Sequence, residues 1–263
     1  APLPDPRLST DEIFTAHPDF LRRSMNRERW YWRWDTPAKY QHNIRAYYRL
    51  ISSIDLAIAR VLRELDRLGL TGNTLVIFSG DNGYYAGERQ LAGKWSHFEQ
   101  SLRVPLIISD PRLPVAQRGR VEPAMVLNLD IPATILDAAG VATPDRYQGH
   151  SLLGLMRGER PADWRRDFFC EHLMDNPLIP KWEGVRGERY VYARYFEQEP
   201  QFEFLHDLIA DPDQLRNLVE DSHYVETLER MRARTLLLRD QYGGPYEPRP
   251  RQPANPRQNR SAN

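Results

Sequence analysis

A single cysteine, Cys170, leaves the chain without an internal disulfide or a multi-cysteine metal site. An excess of one charge is also absent: 36 Lys and Arg balance 36 Asp and Glu. No global field therefore favours nucleic acid or an anionic membrane as partner. No apolar run approaches the ~18 residues that a membrane span needs, and nothing near Ala1 has the pattern of a signal peptide. Starting at Ala1 and not at methionine, the sequence reads as a trimmed or processed chain. Compartment and oligomeric state leave no mark in it. What remains is an ordinary globular balance, 41% apolar and 27% charged over 263 residues, enough for one large domain or one domain with an appendage.

Residues 1–35 read as irregular, with early prolines and then the aromatic-cationic stretch "NRERWYWRWD". Such a stretch can stack on sugars or bases, or it can simply wrap over a larger domain. Residues 36–69 predict a helix: Thr36 caps it, Pro37 suits its first turn and Gly69 ends it. Apolar residues at Ile44, Tyr47, Ile51, Ile54, Ile58, Val61, Leu65 and Leu68 step by three and four, which predicts one buried stripe. "TLVIFS" (74–79) and "VPLIIS" (104–109) are apolar runs without alternation, the pattern of strands covered on both faces of a parallel sheet. "DIPATILDAAG" predicts a further helix from an Asp130 cap to Gly140. Helix, buried strand, loop, buried strand, helix indicates an open α/β sheet.

Beyond about residue 160 the texture changes. "EGVRGERYVYARY" predicts a hairpin turning at Gly187-Glu188, "FEFLHDLIADPDQLRNL" a strand with an Asp-Pro turn, and 223–242 a helix with Leu228, Met231, Leu236 and Leu238 on its apolar side. From Pro245 the sequence holds five prolines and few apolar groups and predicts disorder. The organisation expected is an α/β portion over 1–160, an α+β subdomain over 161–244, and a tail over 245–263.

Ligands of open α/β sheets bind beyond the carboxyl ends of strands, and Asp81 and Asn82 follow "TLVIFS" directly. A carboxylate beside an amide carbonyl offers two hard oxygen ligands of the kind Ca²⁺ or Mg²⁺ takes. Gly83 permits a sharp fold there, and Lys94, twelve residues beyond Asn82, could bring a compact positive charge to an anion held by that ion. Asp-Asn-Gly is equally a good turn with a solvated loop after it. Spacing alone leaves both readings open.

The block "NTLVIFSGDNGYYAGERQLAGKWSHFEQSLRVPLIISDP" closely resembles the formylglycine-dependent (type I) sulfatases of the alkaline-phosphatase-like superfamily. The resemblance continues through "YYRLISSIDLAIARVLRELDRLGL", "LDIPATILDAAG", "QGHSL" and "EGVRGERYVYARY", covering about residues 17–243. It implies part of an alkaline-phosphatase-like sandwich with a mostly parallel sheet, and it implies hydrolysis of a sulfate ester to alcohol and sulfate. Asp81 and Asn82 would then ligate a divalent cation, Ca²⁺ with Mg²⁺ as the alternative. Lys94 would contact a sulfate oxygen. His97, three residues on, could face the pocket as a catalytic and substrate-binding group, or hold a structural hydrogen bond. His172 and Trp182 lie where the appendage could close over substrate, with packing roles as the alternative. Gly80 stands where the family often has serine. Glu88 and Arg89 read as a solvated pair, and His42 and His150 have no partner that can be named from sequence.

The family's nucleophile, an oxidised cysteine or serine in Cys/Ser-x-Pro-x-Arg, has no counterpart here. Cys170 in "FFCEHL" lacks both the proline and the arginine and reads as a buried strand thiol; Ser9, Ser24 and Ser151 lack that context too. Two further Asp ligands that the family carries early in its fold are also without counterpart, since Asp5 and Asp11 do not end an apolar strand. The chain thus resembles the family's C-terminal portion. Formylglycine is expected in an N-terminal portion, which joins a sulfated sugar or small sulfate ester as the expected partner. A phosphatase or phosphonate monoester hydrolase, and a non-catalytic binding module, are the competing readings.

Overall fold

The computed structural model describes residues 2–247, so most of the tail expected from Pro245 lies outside the described residues. The N-terminal stretch is helical where irregular chain is expected. Short helices α1 (Asp11–Thr15) and α2 (Asp19–Arg22) lead into α3 (Met25–Arg33), which contains most of the aromatic-cationic stretch. Thr10 caps α1 through its hydroxyl, which accepts from Ile13 N. Arg27 on α3 lies over the rings of Phe14 and Trp30 at 3.8 and 4.0 Å, so the cations of this stretch mostly stack within it.

Helix α4 (Pro37–Arg67) forms as its signals predict: Thr36 Oγ1 accepts from Lys39 N at 3.2 Å, and Gly69 stops the helix at φ +68°. The predicted burial does not follow. Tyr40 and Ile44 are buried against Trp34 and Ala92, but Ile51, Ile54, Val61 and Leu68 are 46–60% exposed. The stripe exists in the sequence, but over its C-terminal two-thirds the described residues leave most of it open, with only Ile58 and Leu65 half-buried.

Strand β1 (Val76–Ser79) carries the "VIFS" run and later pairs with β4 (Leu106–Ser109). The pairing is antiparallel, Ser79 facing Leu106 and Val76 facing Ser109. The tiny strands β2 (Tyr85–Ala86) and β3 (Ala92–Gly93) are antiparallel as well. Every strand pair among the described residues runs this way, which corrects the expected mostly parallel sheet as far as this chain goes. The chain leaves and re-enters the β1–β4 pair at one end, Gly80 N donating to Pro105 O at 3.3 Å, so direction must reverse. The expected two-sided cover is also absent: Ile107 is 64% exposed. Between the two strands the single-turn helix α5 (Glu99–Leu102) closes the excursion.

Helix α6 (Asp130–Ala138) and the turn α7 (Leu153–Met156) follow. Asp130 begins α6 but is no ordinary cap. Fully buried, its carboxylate accepts from Leu127 N, His150 N and both terminal nitrogens of Arg165. The C-terminal part is a four-stranded antiparallel sheet of β5 (Asp167–His172), β6 (Trp182–Gly187), β7 (Tyr190–Tyr195) and β8 (Phe202–Asp207) in sequential order. The hairpin turn falls at Glu188-Arg189. Helix α8 (Val225–Tyr242) covers one face with Leu228, Met231 and Leu238 against Val185, Tyr192 and Leu205; Thr235, not Leu236, is its other buried position. The opposite face packs Trp182, Ala193, Tyr195 and Phe204 against Tyr85, Leu91 and Phe98 of the excursion. The sheet is therefore the floor on which the segment after β1 is laid.

Candidate active site

Residues 80–105 leave the sheet as one long loop, and Gly83 sets its first bend. A Cβ at Gly83 would lie 2.2 Å from the Gln100 carbonyl oxygen, while Gly83 N donates to Ser101 O at 3.0 Å. Only glycine permits that approach. At Gly80 an added Cβ would meet Pro105 Cδ at 3.4 Å, an ordinary contact, so this position is open to a side chain.

The bend and the return of the loop bring Lys94 to Asn82: the ammonium donates to Asn82 Oδ1, and Asn82 Nδ2 donates to Gly83 O at 2.8 Å. Asp81 is exposed, and among the described residues its carboxylate accepts no hydrogen bond and forms no ion pair. His172, at the end of β5, is half-buried, and burial together with the nearby Lys94 charge pushes its pKa below the ordinary histidine value. Its Nδ1 is buried without a partner. Lys94, Asn82, its neighbour Asp81, and His172 thus form one neighbourhood.

His97 does not face that neighbourhood. It is fully buried, and its ring nitrogens sit 3.0 Å from Tyr195 Oη and 3.3 Å from His206 Nε2. His206 Nδ1 lies 2.9 Å from the Arg216 carbonyl and must donate to it, which leaves its Nε2 as the acceptor for His97 Nε2–H. His97 Nδ1 then accepts from the Tyr195 hydroxyl. Both rings are held neutral, and burial drives the His97 pKa far down. This geometry corrects the expected catalytic and substrate-binding part for His97 and gives it a structural hydrogen-bonding role. Trp182 is buried too, and its indole N–H donates to Trp95 O at 2.8 Å, supporting the loop from below. Glu88 and Arg89 are not a solvated pair. Arg89 is 1% exposed, stacks 3.9 Å over Phe98 and donates to the carbonyls of Asp213 and Gln214. Cys170 is indeed a strand thiol, its pKa pushed up to about 12 by burial.

Two contributors carry no signal in the sequence. Asn26 on α3 is 2% exposed and its amide nitrogen donates to Ala92 O at 2.9 Å and to Lys94 O at 2.5 Å, pinning the backbone of the lysine. Trp95 holds φ +89°, a left-handed conformation rare for a bulky residue. Such strain persists only where the surroundings impose it, here through Asn26 on one side and Trp182 on the other.

Asp81 and Asn82 suit a hard divalent cation in kind, since both offer oxygen and Asn82 Oδ1 already accepts a positive charge. They fall short in number of the about six to eight oxygens of a Ca²⁺ shell, and among the described residues no group of three or more His, Cys, Asp or Glu is placed to hold an ion.

An α/β scaffold with oxygen donors and an ammonium at a strand end has the layout of an oxyanion-handling site. Two family models match it: Sulfatase over residues 10–141, and N-sulphoglucosamine sulphohydrolase, C-terminal, over residues 87–241. The chain belongs to the sulfatase family and takes its alkaline-phosphatase-like fold. It is 30% identical over 193 residues to an N-acetylglucosamine-6-O-sulfatase of Bacteroides thetaiotaomicron, covering 72% of this chain and 34% of that relative. The structure of BT4656 in complex with its substrate D-glucosamine-2-N,6-O-disulfate matches with a TM-score of 0.73 at 27% identity, over 78% of this chain and 42% of that one. A phosphonate monoester hydrolase from Silicibacter pomeroyi matches with a TM-score of 0.79 at 26% identity, over 91% and 51%. The chain thus spans from about a third to half the length of these proteins.

Proposed function

We propose that the chain supplies the Lys94 wall of a sulfatase site, within an enzyme that hydrolyses sulfate esters, a sulfated sugar being the favoured substrate class. The observation that carries this reading is the Lys94–Asn82 contact beside the unpartnered Asp81 carboxylate. Asp81 and Asn82 would hold Ca²⁺ or Mg²⁺, and such an ion supplies positive charge to the sulfate oxygens when bound. Lys94, fixed by the hydrogen bonds from Asn26 to its own carbonyl and to that of Ala92, grips a sulfate oxygen and offsets the charge that grows as the alcohol leaves. His172, its pKa lowered by burial and by the Lys94 charge, presents the exposed part of its ring to a substrate hydroxyl.

In this reading residues 1–160 complete the C-terminal part of the catalytic α/β domain and 161–244 form the subdomain beneath it. The formylglycine nucleophile and the remaining metal ligands come from an N-terminal portion, and the exposed α4 stripe supports such a partner. The chain alone then neither binds metal tightly nor turns over ester. Co-expression with the segment encoded upstream of Ala1, assayed on matched sulfate and phosphate esters, tests the reading. Sulfate-ester turnover should appear, and Lys94→Ala should lower it by about two to three orders of magnitude. Full turnover by Lys94→Ala sinks the role of the lysine, and turnover of phosphate esters alone favours the phosphorus-ester reading that the phosphonate monoester hydrolase likeness raises. Ordinary sulfatase rates from the isolated 263-residue chain would overturn the need for a partner.

A further inference from the structure

Four described arginines have an Nε buried without a hydrogen-bond partner: Arg22, Arg27, Arg29 and Arg89. Three place one terminal nitrogen on a partner, Arg22 on Asp19, Arg27 on Gln90 and Arg89 on the Asp213 and Gln214 carbonyls. Arg29 does not. Among the described residues its side chain has neither an ion pair nor a hydrogen bond, only the Trp95 ring 4.5 Å away. A half-buried guanidinium in this state has lost part of its hydration and gained no anion in return, an arrangement that favours an incoming oxyanion.

The position of this arginine is set by the loop that carries the lysine. Arg29 lies one helical turn beyond Asn26 on the same side of α3, and Asn26 is tied to the carbonyls of Ala92 and Lys94. A Cβ added at Gly93 would stand 3.8 Å from Arg29 Cδ and 3.5 Å from Trp95 Cζ3. The Arg29 side chain and the indole therefore lie against Gly93, the residue next to Lys94, whose left-handed backbone (φ +87°) favours glycine. We infer that Arg29 is a specificity-determining residue that binds a second oxyanion, sulfate or carboxylate, on the sugar whose sulfate ester Lys94 holds. The preferred substrate class is thus a saccharide with at least two anionic groups, as against an aryl sulfate or a monosulfated sugar with the one sulfate charge only. The inference rests on the proposed sulfatase site.

The test is an NMR titration of the ¹⁵N-labelled chain co-expressed with the N-terminal portion that completes the proposed site, following the Arg29 Nε–Hε and Trp95 indole N–H signals. The probes are D-glucosamine-6-sulfate, D-glucosamine-2-N,6-O-disulfate and a 6-sulfated disaccharide carrying a uronate. At least one dianionic sugar should bind about fivefold more tightly than the monosulfate, a charge-assisted pair discounted for partial exposure. Arg29→Gln should remove that preference and leave monosulfate affinity as it was, while Arg29→Lys, which keeps the charge without the planar fork, should retain part of it. Comparison of the disulfate with the uronate shows which oxyanion is read. Equal affinities for all three sugars, each weakened by Lys94→Ala, would overturn the inference and leave the sulfatase site standing. No binding at all, or binding indifferent to Lys94→Ala, overturns the site reading and the inference together.

Discussion

Gly83 and Lys94 show how much a single position decides here. With a Cβ only 2.2 Å from the Gln100 carbonyl, Gly83→Ala must push the Asp81-Asn82 corner away from α5. Denaturant unfolding should show a loss on the order of 1–3 kcal/mol, together with separation of Lys94 from Asn82. An unchanged midpoint would mean that the close approach is dispensable. Lys94, Asn82 and Asp81 are legible in the sequence because a strand end, a turn glycine and a lone lysine form a local pattern. His97 is not, because a histidine three residues from a site lysine reads alike whether it faces substrate or Tyr195. Arg89 misleads for a related reason: its partners are backbone carbonyls at Asp213 and Gln214, over a hundred residues away.

The loop and the β5–β8 sheet are joined as elements by buried histidines. His97 on the loop meets Tyr195 on β7 and His206 on β8, while His17, between α1 and α2, packs on Phe98. Burial lowers the pKa of His17 to about 3 and that of His206 to about 4, with the Arg89 charge adding to both and the Arg216 carbonyl partly opposing the shift at His206. The unfolded chain takes up these protons near pH 6.5, whereas the folded one refuses them until pH 4 or below. The unfolded state therefore binds more protons across that window, and stability falls as pH drops from about 6.5 towards 4, by up to about 1.4 kcal/mol per pH unit for each histidine. Urea midpoints at pH 7.5, 6 and 5 should decline in that order, and His17→Gln should flatten the slope. Equal midpoints at pH 7.5 and 5 would show that the cluster does not resist protonation.

For the whole molecule, the largest departure from expectation is the open side. The α4 stripe and the β1–β4 pair each present large apolar side chains to solvent, Ile51, Ile54 and Val61 on the helix and Ile107 on the strand, and the row along α4 is the kind of exposed apolar surface that an interaction face has. Ile51→Lys combined with Ile54→Lys should leave the stability of the isolated chain within about 0.5 kcal/mol and abolish reconstitution with the proposed N-terminal portion. Unfolding of the chain by the double change would instead show that the stripe is covered from within. Periodicity announced this face correctly as apolar, but periodicity cannot say which chain does the covering.

The amino-acid sequence by itself determined the helix over α4, the strands on either side of the loop, the hairpin of β6 and β7, and the oxygen donors and lysine at the strand end. All of these follow from interactions within a few residues or from a repeating pattern. The tertiary structure alone decided that β1 and β4 run antiparallel, that His97 is sealed into a neutral hydrogen-bonded chain, and that Asn26 from a helix far back in the chain pins the lysine's carbonyl while Arg29 stacks on the neighbouring Trp95. Those outcomes depend on which surfaces meet, and contacts between residues such as Asn26 and Lys94, far apart along the chain, leave no periodic trace in it.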